Sequence, residues 1–265
     1  MQKNHRPLLM RLLPPSIRER VFWRTYFHSR EPFEELFASA PLEFAPGIKM
    51  KLCRTDVSHR MIAFTGFYES RISRLIRGFD QGTMIDVGAN YGYYSLLWAG
   101  ANPQNKVFAF EPVQENLKAI EENVQKNGLE KQIVLNNCAL SNKPGVSFFD
   151  LGKDGHTIWG RLADQAGEKR IEVQVDTLDN LFFDGTFEKI EVLKIDTEGA
   201  DFLIIRGADK LLKAGRIKHL IYEEDNPEKL ATYGVNPGDA QNFLRTLGYE
   251  VRQITRGNFH AWLPE

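Results

Sequence analysis

From residue 83 onward the chain alternates short apolar runs with amphipathic stretches. Residues 83–87, 107–110, 133–135, 192–195 and 220–223 are apolar runs of strand length. The stretches 91–101, 112–127 and the run to Lys213, with a break at Gly207, repeat their apolar positions at helical spacing. Strands alternating with helices predict βαβ units, and so a mainly parallel sheet covered on both faces. Two alternating stretches, 146–151 and 171–175, flank a polar segment over 152–169. Asn236 with Pro237 predicts a helix start and Gly248 its end. Residues 249–255 and 259–263 read as a closing hairpin around Arg256-Gly257-Asn258 that adds an antiparallel strand.

Upstream the pattern is less regular. Pro14, Pro15, Pro32, Pro41 and Pro46 punctuate short helical patterns, one capped by Ser16 and running to about Phe27, another beginning at Glu31-Pro32. Ile48, Met50 and Leu52 alternate as one face of a strand over 48–54, and 66–77 reads as a helix ending near Gly78. The chain divides into a basic helical N-terminal extension, 1–43, and a domain over 44–265 whose regular core starts at about residue 80.

The most informative segment is Met84-Ile85-Asp86-Val87-Gly88-Ala89-Asn90-Tyr91-Gly92, where a strand ends, the chain turns through glycines and a helix begins. In an open α/β sheet, ligands bind at such strand ends. A dinucleotide fingerprint needs glycines at 88, 90 and 93, but the chain has Gly88, Asn90 and Tyr93. Asp86 suits an ammonium-bearing ligand instead. Glu111, nineteen residues after Gly92, ends the next strand and can accept hydrogen bonds from both ribose hydroxyls. S-adenosyl-L-methionine has both features. Tyr91, Tyr93 and Tyr94 open the helix, where aromatic side chains more often pack than bind.

Composition narrows the class without naming it. Apolar residues make up 42% and charged residues 26% of 265, which excludes a disordered chain, a coiled coil and a collagen-like repeat. The net charge of −1 hides a division. Residues 1–30 carry +6 and the rest −7, so the body is a poor match for nucleic acid. Cys53 and Cys138 stand far apart with no metal-binding spacing, and no apolar stretch reaches eighteen residues. Together these predict a soluble, cytoplasmic protein.

Several separated motifs resemble the FkbM family of class I methyltransferases. Asp86–Gly92 is similar to that family's first motif, and Phe110-Glu111-Pro112 with Asn116, Asn123 and Asn127-Gly128 to its second. Asn137-Cys138-Ala139-Leu140-Ser141 resembles its adenine-side segment. Lys194-Ile195-Asp196-Thr197-Glu198-Gly199-Ala200-Asp201 resembles its hallmark, with Thr and Asp replacing Val and Glu. Thr177-Leu178-Asp179 and Gly66-Phe67-Tyr68-Glu69 also match habitual positions. The resemblance covers roughly residues 44–263. It implies a Rossmann-like, mainly parallel seven-stranded sheet with helices on both faces. It also implies S-adenosyl-L-methionine as methyl donor and O-methylation of a small-molecule, natural-product or sugar hydroxyl. Glu69, Asp86, Gly88, Asn90, Tyr91, Gly92, Glu111, Pro112, Asn137, Cys138, Ala139 and Asp196 would then form the cofactor site.

Methyl transfer to a hydroxyl benefits from alignment, exclusion of water and a general base. Asp196, at the end of the fourth core strand, is the first choice of base. Glu198 and Glu223 lie near in sequence or at the next strand end, and with Asp196 form an alternative divalent-metal site, which is not the expectation. Lys194 can orient a carboxylate or the acceptor. His156, in the polar segment, is a second candidate base, although an exposed histidine is the commoner case. Cys138 fits a packing residue better than a nucleophile. The partner expected is a small-molecule or glycan hydroxyl and not nucleic acid. Residues 1–30 suit a packing extension first, and a dimer arm or peripheral membrane contact otherwise. A nucleic-acid methyltransferase, a non-enzymatic binding module and a dehydrogenase are the competing classes.

Overall fold

The computed structural model describes residues 5–29, 31, 33–151, 161–163, 167, 170–185 and 189–264. The chain enters through α1 (Leu8–Leu12), α2 (Pro15–Val21), a π-helical turn over Phe22–Tyr26, and α3 (Glu34–Ala38). Pro14, not Ser16, caps α2, with Pro15 as its first residue, a position where the ring's fixed φ fits and its missing N–H costs nothing. The helix expected from Glu31 begins instead at Glu34, behind Phe33 in left-handed backbone. Strands β1 (Ala40–Pro41) and β2 (Lys49–Met50) pair over only two residues. Ile48, Met50 and Leu52 are buried as their alternation predicts. Further pairing is pre-empted, because the Lys49 and Lys51 N–H groups donate to the side chains of Asn127 and Asn123 at 2.9 and 2.6 Å.

Two helices follow, α4 (Val57–Thr65) and α5 (Ser70–Arg77). The first was not foreseen from the sequence. Asp56 caps it, its carboxylate accepting from the His59 N–H at 2.9 Å.

The predicted core elements then appear in order. They are β3 (Thr83–Val87), α6 (Tyr93–Ala99), β4 (Lys106–Phe110), α7 (Gln114–Asn127) and β5 (Ile133–Asn136). A side sheet is inserted next, from β6 (Ala139–Leu140), β7 (Gly145–Asp150), β8 (Arg161–Ala163) and β9 (Arg170–Asp176), in the order β6-β9-β7-β8. The main sheet resumes with α8 (Leu178–Phe182), β10 (Ile190–Ile195), α9 (Asp201–Arg206), α10 (Asp209–Lys213) and β11 (Ile217–Glu223). The chain closes with α11 (Pro227–Ala231), α12 (Asp239–Thr246), β12 (Glu250–Gln253) and β13 (Asn258–Trp262). Here α12 starts after Gly238, not at Asn236-Pro237.

The seven strands of the main sheet lie in the order β12-β13-β11-β10-β3-β4-β5, six parallel and β13 running against them. This is the Rossmann-like methyltransferase architecture. All six residues of β10 are buried. Ile85, Leu193 and Ile195 are inaccessible to solvent, each worth about 1.5–3 kcal/mol of burial. Strand order reverses between β3 and β10, so their carboxyl ends splay to leave a crevice, as open α/β sheets do at such switch points. Among the described residues, no helix is long and apolar enough to cross a membrane.

Candidate active site

The crevice begins where β3 stops. The Gly88 and Ala89 N–H groups both donate to the Phe110 carbonyl, at 3.0 and 3.1 Å, which folds the turn against the end of β4. Gly88, Asn90 and Gly92 hold φ of 74°, 53° and 80°. A Cβ built on Gly88 would stand 2.0 Å from the Asp196 carbonyl oxygen. The missing side chain therefore lets two loop backbones touch, and the β3 and β10 turns form one floor. Gly92 caps α6 and does not line the crevice.

At the end of β4, Glu111 is held by three donors. Its Oε1 accepts from the Val113 N–H at 3.0 Å and Asn116 Nδ2 at 3.2 Å, its Oε2 from the Asn90 N–H at 2.9 Å. Burial nevertheless pushes its carboxyl up to about 7, against these hydrogen bonds. Pro112, Cys138 and Ala139 continue this wall. Asn137, exposed to solvent, donates to the Glu111 and Pro112 carbonyls at 3.1 and 2.9 Å, so it fastens the turn without lining the crevice. The Cys138 thiol is pushed up to about 11 by burial and by Asp176, and stays protonated at neutral pH.

The β10 end holds an unusual buried charge. Lys194, fully buried, lies opposite Asp86 in the β3–β10 register. Its Nζ is 3.2 Å from Asp196 Oδ2 and 5.1 Å from the centre of the Tyr94 ring. Burial opposes the ammonium, but Asp196, Glu69, Asp201 and Asp86 outweigh it and hold Lys194 above its ordinary value. Asp86 is also buried, accepts from Ser95 Oγ at 2.6 Å, and is pushed by burial up to about 6. It sits beneath the crevice and is not part of its lining. Glu69, whose carboxyl burial and Asp196 raise, accepts from Tyr94 OH at 2.6 Å and likewise stays behind the wall.

The remaining hallmark residues shape the turn. Asp201 accepts from the Thr197 N–H and Oγ1 at 3.0 and 2.6 Å, and its other oxygen takes the Glu223 N–H at 2.8 Å. That ties the β10 turn to the end of β11. Glu198, at φ 55°, pairs with Lys229. Glu223 is pushed up to about 8 by burial, Asp196 and Asp201, and does not reach the crevice lining. Among the described residues, no three His, Cys, Asp or Glu side chains are grouped to hold a metal ion.

These walls enclose a cleft of about 1090 Å³, measured out to its mouth. Gly88, Asn90, Tyr91, Glu111, Asp196 and Glu198 all meet in it. So do residues the sequence reading passed over, chiefly Ser58, His59 and Ile62 of α4, with Phe149, and Tyr68, which it matched to the family without giving it a place in the site. The His59 Nδ1 accepts from the Cys53 N–H at 2.9 Å, and its ring stands edge-on to Tyr91, centres 3.9 Å apart. Burial lowers its pKa, so it faces the cleft as neutral imidazole at pH 7. The Asp-x-x-His cap at 56–59 was the available signal for this helix. His156 lies outside the described residues.

Comparison with known proteins gives the family. Residues 86–251 match the methyltransferase FkbM domain model. The methyltransferase sdnD of Sordaria araneosa is 26% identical over 156 residues, 48% of this chain and 60% of that protein. Methyltransferase 1 of Beauveria bassiana is 24% identical over 149 residues, 49% of this chain and 59% of its own. The AMB antimetabolite synthetase AmbE of Pseudomonas aeruginosa matches at 26% over 63% of this chain and 9% of its own. The chain thus spans less than two thirds of each relative. The crystal structure of methyltransferase FkbM from Methylobacillus flagellatus KT aligns over 93% of this chain and 60% of that one, at 11% identity and a TM-score of 0.47. The matched segment begins at Asp86, takes in Glu111, Asp196 and Asp201, and covers more than half of the chain: the chain belongs to the FkbM methyltransferases.

Proposed function

We propose that the protein transfers a methyl group from S-adenosyl-L-methionine to a hydroxyl on a small molecule, natural product or sugar. The observation that carries this reading is the Glu111 carboxylate, fixed by three donors on the cleft wall with one Oε2 lone pair left for a ribose hydroxyl. The cofactor also suits its neighbours. Phe110, Cys138, Ala139 and Leu140 offer an apolar slot for an adenine. Asn90 Oδ1 is buried without a hydrogen-bond partner among the described residues, leaving an acceptor for a ligand N–H or O–H. When bound, this cofactor supplies a methyl group activated by its sulfonium.

The chain's part is to position the acceptor and take its proton. Asp196 lines the cleft with 31% of its side chain exposed, and Lys194 holds it from behind. With the cofactor bound, Asp196 would take the acceptor hydroxyl's proton on a carboxylate oxygen. The protonated Cys138 thiol leaves no thiolate to carry the methyl group, which supports direct transfer. Tyr68, Tyr91 and Tyr94 give the cleft an aromatic lining that excludes water. The net charge of −7 over residues 31–265 disfavours a nucleic-acid acceptor. Cys53 and Cys138 are both unpaired, which suits a cytoplasmic protein.

The test is a screen of hydroxyl-bearing acceptors with methyl-labelled S-adenosyl-L-methionine, beside calorimetry with S-adenosylhomocysteine. The expected product is a methyl ether, with the homocysteine analogue bound and NAD not. Label recovered on nitrogen or carbon overturns the O-methyl assignment; no binding of the analogue overturns the cofactor.

A further inference from the structure

The N-terminal segment has two unlike faces. The inward one is fixed to the body. Met10 and Phe22 are inaccessible to solvent, and the Phe22 and Tyr26 rings pack on Phe64 of α4 at 5.9 and 4.8 Å. Arg6 donates to the Pro41 and Ala63 carbonyls, and Arg18 to the Leu13 and Thr65 carbonyls and to Glu43. Four buried anchors, Arg6, Met10, Arg18 and Phe22, with Tyr26 half-buried beside them, leave the segment no freedom to turn its other face inward.

That outer face carries Leu8 at 65% and Leu12 at 75% exposure, with Leu9, Ile17 and Trp23 also exposed. The other exposed large apolar side chains among the described residues, Val57, Val134, Val146 and Leu181, are scattered along the chain. Exposed Arg11, Arg20 and Arg24 are interspersed along the chain with these apolar residues. From residue 5 to 29 the one acidic residue is Glu19.

We infer that this face docks the protein on an anionic lipid surface. Aliphatic side chains and a tryptophan interleaved with arginine are the composition of helices that lie in a bilayer interface. Charge complementarity selects the occupant. With Arg6 and Arg18 turned inward, the outer face still presents Arg11, Arg20 and Arg24 against Glu19, while residues 31–265 sum to −7, so an anionic bilayer attracts this face and repels the rest of the molecule, which orients it. A second copy meeting the same face would set like charges against each other. The inference does not depend on the reaction the cleft performs.

The experiment is cosedimentation of the full chain with vesicles of phosphatidylcholine alone, and of phosphatidylcholine with phosphatidylglycerol, at low salt. Binding to the anionic vesicles and little to the neutral ones is expected. Replacing Arg11, Arg20 and Arg24 together by Gln should weaken it by about two orders of magnitude. Leu8→Ser with Leu12→Ser should also weaken it, while leaving the charge in place. These side chains are exposed, so an unchanged melting temperature confirms that each variant is folded. Failure of the wild type to bind anionic vesicles overturns the proposal, as does binding that neither variant reduces. A dimer in light scattering that Leu12→Ser disperses would reassign the face to a second copy.

Discussion

Gly88 and the carbonyl of Asp196 compete for one volume: the side chain absent from the first is replaced by the backbone oxygen of the second, 2.0 Å from where a Cβ would be. The turn that begins the family's first motif and the turn that holds its hallmark are thereby a single packed unit. Gly88→Ala must either push the β10 turn away or distort a residue already at φ 74°. We expect a loss of about 1–3 kcal/mol from overpacking, and a cleft that no longer binds S-adenosylhomocysteine. Thermal melting and calorimetry read the two effects separately. A stable variant with unchanged affinity would show that the two turns separate freely.

Asp196 and Lys194 share one contact but differ in burial, and their substitutions should part accordingly. Asp196→Asn keeps the shape of a partly exposed side chain and removes the base, so turnover should fall about 10²–10⁴-fold with affinity for the cofactor analogue within a few-fold of wild type. Lys194→Met removes the cation between Asp86 and Asp196. Breaking a buried pair in this way costs about 3–5 kcal/mol, and the variant should melt well below wild type. Full activity in Asp196→Asn would refute the assignment of the base.

Glu111 should show in the pH dependence of cofactor binding. With its carboxyl at about 7, part of the population is protonated at neutral pH, and a protonated oxygen presents a donor where ribose hydroxyls need an acceptor. Affinity for S-adenosylhomocysteine is therefore expected to weaken as pH falls from 8 to 6. Glu111→Gln, which does not titrate, should bind more weakly at pH 8 and lose this slope. The measurement is calorimetry across that range in buffers of different ionisation enthalpy.

Much of this was legible in the residues because the main-sheet strands are buried on both faces, and continuous apolar runs such as 192–195 announce that directly. The helix α4 escaped for the opposite reason. His59, Met61, Ile62, Ala63, Phe64 and Thr65 are all buried, so it presents no polar face and no amphipathic period. The five-residue α11 is too short for a period, and its cap, Asn226 with Pro227, is the pattern that misled at 236–237. There the Asn236 N–H donates to Asp239 Oδ2, and the chain needs Gly238 at φ 89° before the helix can start. In the site, strand-end positions gave Glu111 and Asp196, while the ranking of layers was invisible. Spacing cannot tell that Asp86 lies beneath the lining and that Asn137 stands outside it, because that depends on which way a side chain leaves its strand or loop.

The buried carboxylates also set the protein's own stability profile. Glu111 and Glu223 are at about 7 and 8 in the folded protein, against 4.5 for an ordinary glutamate. The folded state thus keeps protons that the unfolded chain has released, and the stability they contribute is lost as pH rises through 7 to 8. His59, His219 and His260 act in the other direction. Burial holds His219 and His260 at about 4 and keeps His59 below 6.5, so the unfolded chain takes up protons first and stability is lost as pH falls below 6.5. Asp86 and Asp201, both at about 6, partly offset the histidines below that point. Between pH 6.5 and 8.5 the histidines of the unfolded chain release their remaining protons and offset part of the loss that rising pH brings, while the raised carboxyls, Glu111 and Glu223 foremost, carry it. The ligand-free protein should lose about 1–3 kcal/mol over this interval, and its melting temperature roughly 2–4 °C per kcal/mol. Glu223→Gln should remove the larger share of the slope, because the higher of the two values belongs to Glu223. A melting temperature that stays level or rises from pH 6.5 to 8.5 would mean that these carboxylates are ionised in the fold, and that water or a cation reaches them.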